Sequence, residues 1–373
     1  MALTGLPFLV ILIAVAAALM GATMLLWNRW RWPWAVPVRL LCMLLMMAAG
    51  ALLAADVVNR NYGFYSSFSD LLGRVPVQGT IISTAGPSGE NAGGGLHAPY
   101  RSGDVRSARD LGDSQARGRV IKVRLDGARS GVRRDALVYL PAAYFQPSQA
   151  GHRFPVIELF HGYPGNPTNW IRQLHFDQTL DVEIAAGRMP PVIAVAPLDN
   201  DRGHDSECVD AVRGQKDETY LAVDVPADIQ RDFRALDTAR AWATIGYSTG
   251  GFCAVNLALH HPDRYAAAAS LAGYYTAIVD RSTGDIYRGQ AAQRRYNSPQ
   301  WVVAHKPTTV ALYLVASRGD PQAMWAMVSM RRAAHNRSPL ITVTLPGGGH
   351  NFYVWYTTSL AAFEWLGAHL AAP

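Results

Sequence analysis

The chain has 373 residues, half of them hydrophobic and 17% charged, with a formal net charge of +6 and a pI near 9.3. That length allows one large catalytic domain with smaller additions, or two ordinary domains. The arginines are scattered and no compact basic run is interleaved with aromatics. That scatter argues against the nucleic-acid partner that a positive balance could otherwise suggest, and the balance suits a surface facing anionic lipid or cell-envelope polymer. The three cysteines, Cys42, Cys208 and Cys253, include no close pair of the metal-knuckle or redox type, so neither a metal nor a cofactor is expected.

Residues Leu6 to Leu26 are almost wholly apolar and carry no charge, long enough to span a bilayer as a helix. A signal peptide is the rival reading, weakened by the missing basic residue ahead of the run. A second apolar run follows from about Val38 to Val58. Between them, Arg29, Arg31 and Arg39 accompany Trp27, Trp30, Trp32 and Trp34. The positive-inside rule puts this loop in the cytoplasm and both ends of the chain outside. Residues 1–58 thus read as a two-helix membrane anchor with the lipid bilayer as partner, the protein being a multi-pass protein of the cell membrane. Residues 59–118, rich in turn formers such as STAGPSGENAGGG, read as an extracytoplasmic linker or arm.

From Arg119 the pattern changes. RVIKVRLDG and RRDALVYLP are predicted strands, followed by FPVIELF, PPVIAVAP, ARAWATIGY, AAAASLAG, TTVALYLVAS and LITVTLP. Helical stretches such as VPADIQRDF, TGGFCAVNLALHH and FYVWYTTSLAAFEWLGAHL fall between or after them. Strands alternating with helices favour a mostly parallel central sheet covered on both faces. Residues 119–373 are of a size for one α/β domain.

Gly246-Tyr247-Ser248-Thr249-Gly250 has the GxSxG form. A bare match would equally suit a turn whose serine caps a helix. Here a strand precedes the motif and a helix follows, which is the context of a nucleophile elbow. His350 follows three glycines ahead of the last helix, where it can serve as general base. Asp320 ends a strand and is the candidate acid, with Asp285 a weaker alternative. The order Ser248, Asp320, His350 is the order that the α/β-hydrolase architecture requires. The oxyanion hole needs two backbone amides. Thr249, which follows the nucleophile, supplies one, and Tyr163 in His161-Gly162-Tyr163-Pro164-Gly165 supplies the other, with Gly162 the nearest alternative. Pro164 has no amide hydrogen to give.

These segments, FHGYPG, GYSTGG, SRGD and GGGHNFYVW, resemble the putative-esterase family of α/β hydrolases, which includes S-formylglutathione hydrolases, feruloyl esterases and the antigen 85 mycolyltransferases. The likeness spans roughly residues 119–373. It implies an α/β-hydrolase fold, a Ser248–Asp320–His350 triad, and oxyanion donors at Thr249 and at Tyr163 or a neighbour. The membrane pair departs from the soluble members and looks like that of actinobacterial proteins with an extracytoplasmic esterase domain.

The polar excursion from Asp199 to Asp224 offers Asp199, Arg202, His204, Asp205 and Glu207 as candidates for a polar substrate, and Cys208 is placed to pair with Cys253 if this part is exported. The stretch around AIVDRSTGDIYRGQAAQRRYNSPQWV adds Tyr287, Tyr296 and Trp301, and NPTNW adds Trp170. These aromatics either contact substrate or close a satellite core. The expected reaction is cleavage of an acyl ester, on a lipid, glycolipid or other envelope substrate, through a covalent acyl-enzyme. Transfer of the acyl group to a sugar or lipid hydroxyl uses the same triad. A non-catalytic, membrane-tethered binding protein is the reading of a different class, against which the intact triad argues.

Overall fold

A computed structural model describes residues 3–27, 29, 33–75, 79–84, 117–200, 203–335 and 337–371. It divides into two compact units, Met1–Pro76 with Gly347–Asn351, and Val77–Pro346 with Phe352–Pro373.

The first unit is built on two long helices, α1 (Leu6–Leu26) and α2 (Ala35–Tyr62), with a single turn, α3 (Phe68–Leu71). Both long helices are apolar enough to cross a membrane. The 21 residues of α1 rise about 32 Å at 1.5 Å each, matching a hydrocarbon core of about 30 Å. Apolar side chains of both helices point outward, Leu25 of α1 being 80% and Met47 of α2 70% exposed, a surface that water does not favour. Asp56 and Arg60 of α2 pair at 2.6 Å. Arg60 also donates to the carbonyls of Thr4 and Gly5, so the start of α1 is tied to the end of α2. Gly63 ends α2 in the left-handed region at φ 65°, its N–H donating to the Asn59 carbonyl, where a residue without a Cβ is favoured.

The second unit is a nine-stranded sheet of β1 (Thr80–Thr84), β2 (Arg119–Asp126), β3 (Arg133–Leu140), β4 (Val156–Phe160), β5 (Ile193–Pro197), β6 (Trp242–Tyr247), β7 (Ala267–Leu271), β8 (Ala311–Ser317) and β9 (Leu340–Leu345). Its order is β1-β9-β8-β7-β6-β4-β5-β3-β2. The run from β5 through β4, β6, β7 and β8 to β9 is parallel, with antiparallel additions at both edges. This is the α/β-hydrolase arrangement that the strand pattern predicts. Every residue of β4 through β8 is buried, because helices cover both faces of the central strands. The helices of this unit are α4 (Thr168–Arg172), α5 (Phe176–Ala185), α6 (Asp217–Thr219), α7 (Val225–Asp232), α8 (Thr249–His260), α9 (Ala291–Tyr296), α10 (Pro299–His305), α11 (Pro321–Ala334) and α12 (Phe352–His369), of which α8, α11 and α12 pack on the central strands. β1 lies within the stretch read from sequence as a connector, and pairs with β9 from Thr80 opposite Thr344 to Thr84 opposite Leu340.

The chain runs from β4 to β5 on one side, then returns past β4 to β6 on the other. In open α/β sheets the crevice at such a reversal, outside the carboxyl ends of the strands, is where ligands bind. Here that crevice is flanked by the loop after β4, which begins at His161, and the turn after β6, which holds Ser248.

Candidate active site

Ser248 sits between β6 and α8 at φ 55°, ψ −125°, a backbone conformation that costs a side-chain-bearing residue free energy. The surroundings hold it there. A Cβ on Gly246 would lie 1.9 Å from the Gly250 carbonyl oxygen, and one on Gly250 would lie 2.2 Å from that of Phe160. The two outer glycines are thus what lets the turn close and α8 sit against β4. The Ser248 amide donates to the Leu271 carbonyl on β7 at 2.9 Å. Residues Thr249 to Leu259 of α8 are all buried, so the elbow rests on a rigid, well-packed support.

Thr249 is the first residue of α8, and the first N–H groups of a helix have no partner within it. Its side-chain hydroxyl donates to Asp205 at 3.2 Å. Across the crevice, β4 and β6 pair with Phe160 opposite Gly246. The loop after β4 therefore runs beside the elbow, and a Cβ on Gly162 would come within 3.0 Å of the Ser248 Cβ. Tyr163 follows in the same loop, its hydroxyl bonded to the Gly203 carbonyl. His161 is buried, with Nε2 3.0 Å from Asp199 Oδ1 and its backbone N–H donating to Asp199 Oδ2 at 2.9 Å. Burial works against the charged form of His161, but the carboxylate beside it prevails and its pKa is raised.

Asp320 follows β8 and caps α11, accepting a hydrogen bond from the Ala323 amide at 3.1 Å. It is 6% exposed. Asp285, the alternative acid, is exposed in the excursion after β7, away from any strand end. His350 lies in the loop Gly347–Asn351, between β9 and α12. Tyr247 packs on the first turn of α12, with its ring 5.6 Å from that of Phe352 and 4.7 Å from that of Trp355. The residue before Ser248 thus touches the residue two after His350.

The proposed substrate contacts fare less uniformly. Trp170 is fully buried and packs against Phe176, Tyr247 and Phe363. It is a core residue supporting the elbow from behind, with no face left for substrate. Tyr287 is also buried, in a small cluster with Val209 and Ala277, and its hydroxyl donates to Glu207 at 2.8 Å. It too closes a satellite core. Trp301 is half-buried and stacks on His305. His204 is exposed and lines a cavity of about 400 Å³ with Arg213, Asp285 and Arg288. Arg202 lies outside the described residues.

Asp199, Asp205 and Glu207, read from sequence as groups for a polar substrate, are instead buried. Glu207 accepts from the hydroxyls of Tyr274 and Tyr287, and Asp205 accepts from the Glu207 amide and from Thr249. Burial raises the pKa of Asp205 to about 6 and that of Glu207 to about 8, against the pull of these donors. They are buried scaffold, Asp205 lying against Thr249 beside the Ser248 turn. Nothing in their local sequence marked them as buried, since their partners come from distant segments. Cys208, next to Glu207, forms a disulfide with Cys253 of α8, their Cα atoms 5.5 Å apart.

Residues 128–355 match the family described as "Putative esterase", which is more than half of the chain. The chain belongs to the putative esterase family. The chain is 28% identical over 271 residues to an uncharacterised protein of Corynebacterium glutamicum, an alignment covering 68% of this chain and 63% of that one. The chain thus spans less than two thirds of that relative's length. Among solved structures, a ferulic acid esterase aligns with a TM-score of 0.60 at 18% identity, covering 68% of this chain and 99% of its own. An S-formylglutathione hydrolase from Agrobacterium tumefaciens aligns at 0.57 and 17%, covering 68% and 96%. The fluorophosphonate-binding serine hydrolase F of Staphylococcus aureus aligns at 0.56 and 15%, covering 67% and 99%. At these identities the structural likenesses establish the fold, and the family match establishes membership of the putative esterase family.

Proposed function

We propose that this protein is a membrane-anchored serine esterase whose triad is Ser248, His350 and Asp320, acting on an acyl ester of a lipid or cell-envelope molecule. The observation that carries the reading is the strained Ser248 elbow at the switch point of the sheet. His350 takes the Ser248 proton as Oγ attacks the ester carbonyl, and Asp320 steadies the imidazolium that forms. The backbone N–H groups of Thr249 and Tyr163 receive the negative oxygen of the tetrahedral intermediate. Collapse breaks the bond to the alcohol, which leaves with the proton returned by His350, and Ser248 holds the acyl group. Water then attacks that ester, giving its proton to His350, and the acid departs as Ser248 is restored.

An apolar acyl chain has a candidate seat. A cavity of about 410 Å³ is lined by Tyr274, Tyr275, Ile278, Pro321 and Trp325, on segments that continue directly from β7 and from Asp320. Trp325 is 69% exposed, which is costly for so large an apolar side chain unless something covers it.

The test is intact-mass analysis of the full-length protein with a panel of short and long acyl esters. A transient mass gain on Ser248, absent in S248A, with prompt release in water, supports the esterase. An acyl-enzyme that persists until a sugar or lipid hydroxyl is added moves the assignment to acyl transfer. Failure of any ester or fluorophosphonate to modify Ser248 overturns the catalytic reading.

A further inference from the structure

The loop that carries His350 has the least self-supporting sequence in the second half of the chain. Three consecutive glycines, Gly347 to Gly349, precede the histidine, and Gly348 takes φ 102°. Such a stretch loses more conformational freedom on ordering than any other, so its order must come from bonds made to it. Those bonds come from the segment that follows α2. The Gly349 amide donates to Asp70 Oδ2 at 2.6 Å. The His350 amide donates to the Gly63 carbonyl at 2.8 Å. The Asn351 side-chain amide donates to the Phe64 carbonyl at 2.6 Å and to Asp70 Oδ1 at 3.0 Å. The residue before the histidine, the histidine and the residue after it are each fastened.

Asp70 is the centre of this arrangement. It is 1% exposed, and its Oδ2 also accepts from the Ser66 amide at 2.7 Å and the Ser66 hydroxyl at 3.1 Å. Both carboxylate oxygens are thus engaged, one by its own turn and the loop together, the other by the loop alone. The approach is close: a Cβ on Gly349 would lie 2.4 Å from the Phe64 carbonyl oxygen and 2.6 Å from that of Gly63. The Gly63–Asp70 segment is itself tied down. Asn59 of α2 exchanges two hydrogen bonds with the Tyr65 backbone, and the Leu3 amide, just ahead of α1, donates to the Ser66 carbonyl.

We propose that Asp70 is a positioning residue for His350, holding the Gly347–Asn351 loop so that the imidazole keeps the orientation catalysis needs. The esterase then draws the geometry of its base from the chain at the end of its own apolar hairpin. The proposal rests on His350 being the base.

The experiment uses the full-length protein in detergent micelles. It compares D70A, D70N and N351A with the wild type, and with S248A and H350A as references. Loss of positioning lowers kcat of D70A about 10- to 100-fold, as a misplacement near 1 Å does, with KM changed by less than about twofold because substrate binding is untouched. D70N, which keeps one acceptor oxygen, falls between. Hydrogen exchange at the Gly349 and His350 amides is slow in the wild type and speeds up in both Asp70 variants. N351A, which leaves the buried carboxylate in place, supplies the same test if D70A does not fold. Unchanged kcat in D70N and N351A overturns the proposal, as do Gly349 and His350 amides that exchange freely in the wild type. A kcat loss that only tracks lost folded protein also overturns it. Full turnover in H350A beside an inactive S248A would instead sink the assignment of the base, an outcome separable from the others.

Discussion

At the residue scale the elbow is a problem of space. Ser248 is held at positive φ, and the glycines around it are there because backbone atoms occupy the place of a side chain. At Gly250 the nearest atoms to an added Cβ are the Phe160 carbonyl oxygen at 2.2 Å, its carbon at 2.5 Å and the His161 carbonyl oxygen at 2.6 Å. None is the flexible end of a side chain, so Gly250→Ala must separate α8 from β4. Forced overpacking of this kind costs about 1–3 kcal/mol or more, and the strain falls on the strand that leads to Tyr163. The expected outcome is a lowered Tm together with a loss of fluorophosphonate labelling at Ser248. A G250A protein that melts and labels as the wild type does would contradict the geometry. The GxSxG spacing was legible because each of its residues answers a local steric demand. Trp170 and Tyr287 were not, because an aromatic beside a predicted site reads the same whether it faces substrate or core. Only the packing of Trp170 on Phe363, nearly two hundred residues away, decides it.

At the scale of elements, the excursion from Asp199 to Asp224 is fixed at many points, among them the Asp199–His161 pair, the Asp205–Thr249 bond, the Glu207 bonds to Tyr274 and Tyr287 and the Cys208–Cys253 disulfide. The disulfide closes a loop of sequence separation 45, and constraining the unfolded chain over such a loop contributes about 4 kcal/mol by the chain-entropy model. Cys208→Ser is thus expected to lower Tm, and reductant should lower the wild-type Tm to a similar value while leaving that of C208S unchanged. The buried carboxylates add a pH dependence whose sign can be worked out. Asp205 and Glu207 have folded pKa values raised to about 6 and about 8, largely by burial, as has Glu158 on β4, to about 8. The folded state therefore holds protons that the unfolded chain has already released. Their contribution is fully present below the ordinary carboxylate range and is lost as pH rises through about 6 and then about 8. Glu207→Gln cannot ionise, so its melting temperature should fall less steeply than that of the wild type between pH 6 and 9. Parallel curves would contradict this role. The strands of the central sheet were legible because strands buried on both faces read as short, continuous apolar runs. β1 was not, since five residues in a turn-rich stretch show their strand character only against β9. The buried excursion was equally hidden, because Glu207 meets Tyr274 and Tyr287 across separations of 67 and 80 residues.

At the scale of the whole chain, two independent features bear on which side of a membrane the catalytic residues stand. Arg29, Arg31 and Arg39 mark the short connection between the apolar helices, and such a bias retains a short loop in the cytoplasm. On the proposed topology, two spans would then put the long C-terminal part outside. The second feature owes nothing to the first. Cys208 and Cys253 are paired, and structural disulfides persist in oxidising compartments and are rare in the cytosol. A chain with one span, or with a cleaved leader in place of α1, would alter the topology argument but not the disulfide argument, so the two can be tested apart. Alkaline phosphatase fused after Pro373 should be active in cells and a green fluorescent protein fused there should be dark, because the first folds only outside and the second only within. Alkylation of cell-trapped protein should find Cys42 reactive only after denaturation in detergent, and Cys208 and Cys253 reactive only after reduction. A bright fluorescent fusion with reduced Cys208 and Cys253 would place the Ser248 unit in the cytoplasm and remove the case for an envelope substrate. An active phosphatase fusion with the disulfide intact would leave lipid and envelope esters as the substrates to try first.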